Sequence, residues 1–247
     1  MSTSNSSILW FNFMDSLVEK SLFPQAVHRV LFWGPPGTGK SYWPQSKFPH
    51  VERVPLHSQT PPDDLVGAFG LDSDGQGGTK TVWADGPAVR AMKKGCPLVL
   101  DEIDQLSADV RVILHAVLDD LRSATLTLPT GERVQPAKGF CVIATTNMNP
   151  DSIPEALLDR IEIVLRADTP HPEAMNTLDP PSRSLMEAHY REQTAEQWGG
   201  NPTFRRALAM SKLVKKISSH EAATAVYGQN GKKIVDTLVS HGAKVKM

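Results

Sequence analysis

The run Gly34-Pro35-Pro36-Gly37-Thr38-Gly39-Lys40-Ser41 has the spacing G-x-x-x-x-G-K-[ST]. It comes after Val30-Leu31-Phe32-Trp33, an apolar stretch of the length and character of a buried strand. A strand feeding a glycine loop is the context in which this spacing binds phosphate. The glycines let backbone N–H groups converge on an anion, and the helix after the loop turns its positive end toward it. Lys40 is then placed to reach the β and γ phosphates of a nucleotide, and Ser41 to ligate Mg²⁺. Tyr42, next in the chain, is counted with the loop as a nucleotide contact. Pro44, with Pro49 close behind, requires the helix after the loop to be short or irregular.

A second constellation is Asp101-Glu102, directly after the apolar run Leu98-Val99-Leu100. Alone, such a pair is usually a solvated strand end. Downstream of a phosphate loop, Asp101 can hold the Mg²⁺ shell while Glu102 polarises an attacking water. Phosphoryl transfer needs metal, charge clamp and positioned water together, so the two constellations strengthen each other.

The elements that must carry these residues can be read from periodicity. Short unbroken apolar runs at 97–100 and 140–144, each leading into polar residues, read as central parallel strands with chemistry at their C-terminal ends. Between them, apolar residues at 110, 113, 114, 117, 118 and 121 make a helical face over Val110 to Leu121, completing a βαβ unit. A helix is expected over Phe13 to Leu22. Two hairpins are expected, one from Val66 through a Gly-rich tip at 75–78 to Trp83, the other pairing Leu126-Thr127-Leu128 with Arg133-Val134. After Arg166 the texture changes: Pro170, Pro172, Pro180 and Pro181 interrupt the chain, and the remainder reads as helices such as Arg205 to Ile217. The fold class is α/β, with a boundary near Ala167.

The chain resembles the AAA+ ATPases of the MoxR and dynein-related branch, which includes the CbbQ, NorQ and GvpN types. The segments that carry the resemblance are the phosphate loop, Asp64-Leu65-Val66-Gly67, the stretch from Asp85 to Ala91, the stretch from Leu98 to Asp104, Ala144-Thr145-Thr146-Asn147, and the stretch from Ala156 to Arg160. The resemblance implies a P-loop NTPase core of AAA+ type over residues 1–167, its central parallel sheet flanked by helices, and a small helical lid over 168–247. It implies ATP and Mg²⁺ as ligands, and ATP hydrolysis at the interfaces of a ring homo-oligomer, with a hexamer as the expected size. Asn147 would be the sensor 1 group that orients the water. Arg160 would be the arginine finger offered to a neighbouring subunit, where a guanidinium neutralises charge growing in the transition state. A surface ion pair from Arg160 to Asp159 or Glu162 is the plain alternative. In the lid, Arg205 would be the sensor 2 arginine, with Arg206 as the second choice, although the local spacing departs from the usual Ser-Pro-Arg pattern. Both hairpins would line or face the ring's pore, where Trp83 could grip a polymer or simply pack. A protein substrate and a von Willebrand A-type adaptor are the expected partners.

Composition sets the outer bounds. With 40% apolar and 21% charged residues among 247, the chain has the balance of a globular protein, and a net charge of −1 names no partner. No apolar run approaches the ~18 residues of a membrane span. The opening Ser/Thr/Asn tract lacks the pattern of a secretory leader, so a cytoplasmic location is expected. Cys96 and Cys141 belong to no metal-binding spacing and are expected to be buried, inert thiols. Two other readings keep the fold. One is a ring module acting on nucleic acid, which no basic–aromatic stripe supports despite a mildly basic tail from Lys232 to Lys246. The other is a nucleotide-gated switch with little turnover, against which Glu102 and Arg160 together argue. Lys212, Lys215 and Lys216 read as a solvated helix face.

Overall fold

The computed structural model describes residues 10–73, 75, 77–192 and 202–240. The end of the basic tail, the opening polar tract, and two residues of the first hairpin's tip lie outside the described residues. Two compact units are present: residues 1–34 with 40–167, and residues 35–39 with 168–247.

The first unit is built on a five-stranded parallel sheet. Its strands are β1 (Arg29–Trp33), β2 (Glu52–Pro55), β5 (Pro97–Asp101), β8 (Cys141–Thr146) and β9 (Ile163–Arg166). The remaining strands make two hairpins, β3 (Gly67–Ser73) with β4 (Thr79–Asp85), and β6 (Leu126–Thr127) with β7 (Arg133–Val134). The sheet order is β2-β5-β8-β1-β9. Because β8 lies between β1 and β5, the C-terminal ends of all three open side by side.

The three central strands are buried on both faces, and their residues divide between two cores with the period of two that a strand imposes. Leu31, Leu98, Leu100, Val142 and Ala144 pack to one side; Val30, Phe32, Val99, Cys141 and Ile143 pack to the other. The first face is covered by α4 (Pro87–Lys94) and α5 (Ala108–Val117). The second is covered by α1 (Trp10–Glu19), through Trp10, Phe11 and Met14, and by Trp43 of α2 (Trp43–Lys47). Short helices α3 (Asp63–Val66) and α6 (Glu155–Leu158) complete the unit.

Some expected boundaries move. Helix α1 begins three residues before the expected Phe13 and ends at Glu19, because Trp10 and Phe11 extend its apolar stripe. Leu22 is left 41% exposed. Helix α5 starts earlier than expected, where the Ser107 hydroxyl accepts from Val110 N, and ends at Val117 rather than Leu121. Both cysteines are buried free thiols, and burial pushes their thiols up, Cys141 most strongly.

The second unit is helical: α7 (Pro172–Asn176), α8 (Pro180–Glu192), α9 (Phe204–Val214), α10 (Ser219–Tyr227) and α11 (Gly231–Ser240). Leu185, Met210, Ala222, Ala223, Ile234 and Leu238 form its core. Thr203 caps α9 and a Ser218–Glu221 capping box starts α10, each satisfying backbone donors a helix start leaves open. Helix α9 ends at Val214, short of Ile217, and Lys212, Lys215 and Lys216 are exposed, as a solvated face.

Candidate functional site

The phosphate loop leaves β1 at Gly34, whose φ of +135° and close approach to Ala167 O suit only glycine; a Cβ there would lie 2.7 Å from that oxygen. Gly37 has φ +86°, and a Cβ on it would meet Phe204 Cβ at 2.5 Å. Pro35, Pro36, Thr38 and Gly39 complete the turn, Thr38 fully buried and its carbonyl accepting from His171 N. Beyond the loop, Trp43 is fully buried against Phe32, with ring centroids 5.6 Å apart, and its Nε1 donates to Asp15. The chain after Ser41 is thereby pinned to the core.

Helix α2 is only five residues long, starts after Tyr42, and carries Pro44 in its first turn. Its shortness is the expected effect of the prolines. It corrects one expectation: a helix this short has little macrodipole to turn toward an anion, so the loop's own N–H groups and Lys40 must do that work. Tyr42 is 46% exposed.

Lys40 is 6% exposed, and its Nζ donates to Gly34 O at 2.8 Å and to Asn147 Oδ1 at 2.9 Å. Burial pulls its ammonium down from 10.5 to about 8, against the opposing pull of the Asp101 charge. The lysine therefore bridges the ends of β1 and β8.

Asp101 closes β5. Its Oδ1 accepts from Ser41 Oγ at 2.6 Å and from Thr145 Oγ1 at 2.7 Å, and its Oδ2 accepts from Arg53 Nε. Glu102 comes next, with φ +60°, a left-handed conformation unfavourable for a residue with a Cβ. Its side chain is exposed and makes no hydrogen bond or ion pair among the described residues. Beside it, Thr146 Oγ1 donates to Asp104 Oδ1 at 2.5 Å and accepts from Met148 N, fixing the turn that presents Asn147.

Lys40, Ser41, Asp101, Glu102 and Asn147 thus stand together at the ends of three adjacent strands. Arg160 does not join them. It lies just after α6, its Nη1 donating to Ala156 O at 2.5 Å and its Nε buried without a partner. Among the described residues Arg160 makes no ion pair to Asp159 or Glu162, and Glu162 instead engages Arg29 at 2.5 Å and the His28 and Arg29 amides. Arg205 and Arg206, in the first turn of α9, are exposed, and their side chains make no hydrogen bond or ion pair among the described residues. Trp83 is half-buried at the hairpin's base, stacked edge-on against Phe69 at 5.2 Å and donating to Asp85, which is a packing role. Among the described residues, the large exposed apolar side chains of that hairpin are Phe69 and Leu71, 54% and 77% exposed, which residue type and spacing alone do not single out. Nor do they single out Arg53, Thr145 or Asp104. Of these, only the Thr145-Thr146 pair beside Asn147 carries a signal, as hydroxyls at the end of a buried strand.

Oxygen ligands from Ser41 and Asp101 suit a hard divalent cation such as Mg²⁺. Among the described residues no cluster of three or more His, Cys, Asp or Glu could hold a metal, so an ion here would draw the rest of its shell from phosphate oxygens and water. The residues fit Mg²⁺ bound together with a nucleotide.

Residues 29–161 match the family described as AAA domain (dynein-related subfamily). The protein NorQ of Paracoccus denitrificans is 34% identical over 132 residues, covering 52% of this chain and 47% of NorQ. The denitrification regulatory protein NirQ of Stutzerimonas stutzeri is likewise 34% identical over 132 residues, with the same coverage. The chain spans about half the length of these curated relatives. Among solved structures, NtrX from Brucella abortus, determined with ADP, superposes with a TM-score of 0.50 at 16% identity, over 82% of this chain and 50% of that one, a likeness of fold alone. No helix among the described residues is long and apolar enough to cross a membrane.

Proposed function

Because the chain belongs to the dynein-related subfamily of AAA domains, we propose that it binds ATP with Mg²⁺ and hydrolyses it at the subunit interfaces of a ring-shaped homo-oligomer, to remodel or activate a protein partner. The single observation that supports this best is the convergence of Lys40, Ser41, Asp101, Glu102 and Asn147 at the ends of β1, β5 and β8.

Each residue has a step suited to its geometry. Lys40 exchanges Gly34 O and Asn147 Oδ1 for the β and γ phosphates, joined by the amides from Gly37 to Ser41. That exchange frees the Asn147 amide to orient a water. Glu102, exposed and unpartnered at a strained backbone position, accepts the proton of that water. Ser41 and Asp101 would hold Mg²⁺, which when bound would neutralise phosphate charge. Arg160, whose Nε lacks a partner, is assigned to a neighbouring subunit's γ-phosphate, where it supplies positive charge as the transition state develops. Arg205, or Arg206 behind it, is assigned to the nucleotide by resemblance.

The proposed oligomer is a hexamer, the proposed setting the cytoplasm, and the proposed partner a protein, with a von Willebrand A-type adaptor by analogy. The test is steady-state ATPase rate against protein concentration, with mass followed by light scattering with and without ATP. A rate per subunit that climbs as rings assemble is expected. A rate independent of concentration would remove the shared site.

A further inference from the structure

Asp101 poses an electrostatic problem that the nucleotide chemistry leaves unanswered. Its carboxylate is only 7% exposed, and a buried carboxylate needs compensating charge whenever Mg²⁺ is absent. The hydroxyls of Ser41 and Thr145 occupy Oδ1 but bring no charge. The Lys40 ammonium, which feels the Asp101 charge, offsets part of it, and Arg53 adds a second cation, donating from Nε to Oδ2. Resting on the reading of Ser41 and Asp101 as Mg²⁺ ligands, we infer that Arg53 is a built-in placeholder cation, which holds Asp101 in the nucleotide-free protein and competes with Mg²⁺ for it.

Three features suit Arg53 to hold and then yield. It stands on β2, an edge strand of the sheet, two residues before Pro55, whose register partner is Asp101. Its side chain is 47% exposed although its partner is buried, so its head can return to water at low cost. It also lines an open cleft of ≈ 200 Å³ with Gln45, Phe48, Pro49 and Val51, giving the guanidinium room to withdraw. The neighbouring carboxylate, Glu52, is taken by Arg90 and Lys94 and does not anchor it. Ser41 approaches Asp101 on Oδ1, the oxygen opposite the one Arg53 holds. A divalent ion arriving beside Ser41 shares the carboxylate with a guanidinium, and the two cations repel across it. Removing the guanidinium leaves more of the carboxylate's charge to the metal.

The test is a Mg²⁺ titration of fluorescent, non-hydrolysable ATP-analogue binding to the full chain, comparing wild type with Arg53→Gln and Arg53→Lys. Arg53→Gln is expected to lower the Mg²⁺ midpoint by about tenfold, discounting the bare Coulomb interaction for the exposure of Arg53. Arg53→Lys keeps a cation but loses the flat Nε donor, and should lower it by about two- to threefold; it serves if Arg53→Gln does not fold. As a second readout, Mg²⁺ alone should raise the melting temperature of Arg53→Gln more than that of wild type, because the variant's Asp101 has lost one of its two cations. A purely structural arginine would lower stability without moving the Mg²⁺ midpoint downward. A midpoint unchanged or raised in the folded variants overturns the inference. Wild type that binds the analogue without regard to Mg²⁺ overturns the metal assignment itself, and the inference with it.

Discussion

The buried Lys40 predicts that nucleotide binding takes up a proton. In the free protein its ammonium titrates at about 8, because burial in contact with Gly34 O and Asn147 Oδ1 costs it hydration. Against two phosphates the charged form is favoured, and the group must return to its ordinary 10.5 or above. Binding then draws about half a proton at pH 8, about nine-tenths near pH 9 and about one-tenth at pH 7. Apparent affinity should fall with rising pH above 8, approaching tenfold per unit, or about 1.4 kcal/mol. The stability of the free protein moves the other way. The unfolded chain keeps the lysine protonated up to 10.5 while the folded one releases the proton from about 8, so this group favours the folded state increasingly across that window. The full effect is of the order of 3 kcal/mol. Titration calorimetry with a non-hydrolysable ATP analogue, in paired buffers of different ionisation enthalpy, counts the protons. Lys40→Arg, which keeps its charge throughout, should abolish the uptake. Uptake that stays flat from pH 7 to 9 would refute the account of Lys40.

Other outcomes rest on single residues. Glu102→Gln should bind ATP at near wild-type affinity yet lose turnover by a factor of about a hundred or more, checked by single-turnover kinetics. Glu102→Gly should lose turnover equally while melting at a higher temperature, since glycine relieves the +60° φ by roughly 1 kcal/mol; a lower melting temperature would show that no strain is stored there. Arg160→Ala should bind ATP normally and hydrolyse it slowly, and mixing it with Glu102→Gln should restore some activity through sites that are intact at mixed interfaces. If mixtures stay silent at every ratio, Arg160 does not act between subunits. Ser107→Ala removes the cap of α5 and its bond to Thr60 O, and should cost about 1–2 kcal/mol in chemical denaturation without changing the Mg²⁺ midpoint.

What the sequence disclosed and what it hid divide along a physical line. The strands at 29–33, 97–101 and 141–146 were legible because both their faces are buried, which forces continuous apolar runs, and because each ends abruptly in the polar residues it presents. Lys40 and Ser41 could be placed because a phosphate loop constrains residue types at fixed offsets, Asp101 because it closes an apolar run, and Asn147 only through the family resemblance. The order in which strands pair has no such local trace. That β8 lies between β1 and β5 is written in the packing of the whole sheet, and it is this insertion that sets Thr145 against Asp101 and Asn147 against Lys40. Helix ends shifted by a few residues because Trp10 and Phe11, hidden in an apolar opening, compete for the core more strongly than Leu22. Arg53 was invisible for a related reason: on an alternating edge strand it reads as one more exposed charge, and only the parallel register with β5 carries it to a carboxylate. The reactive groups are thus specified locally, while the charge balance that tunes them is specified by neighbours far away in the chain. Substitutions at the loop's positive-φ glycines should therefore abolish nucleotide binding, whereas substitutions at Arg53, Thr145 or Asp104 should leave the site intact and shift its metal and pH dependence.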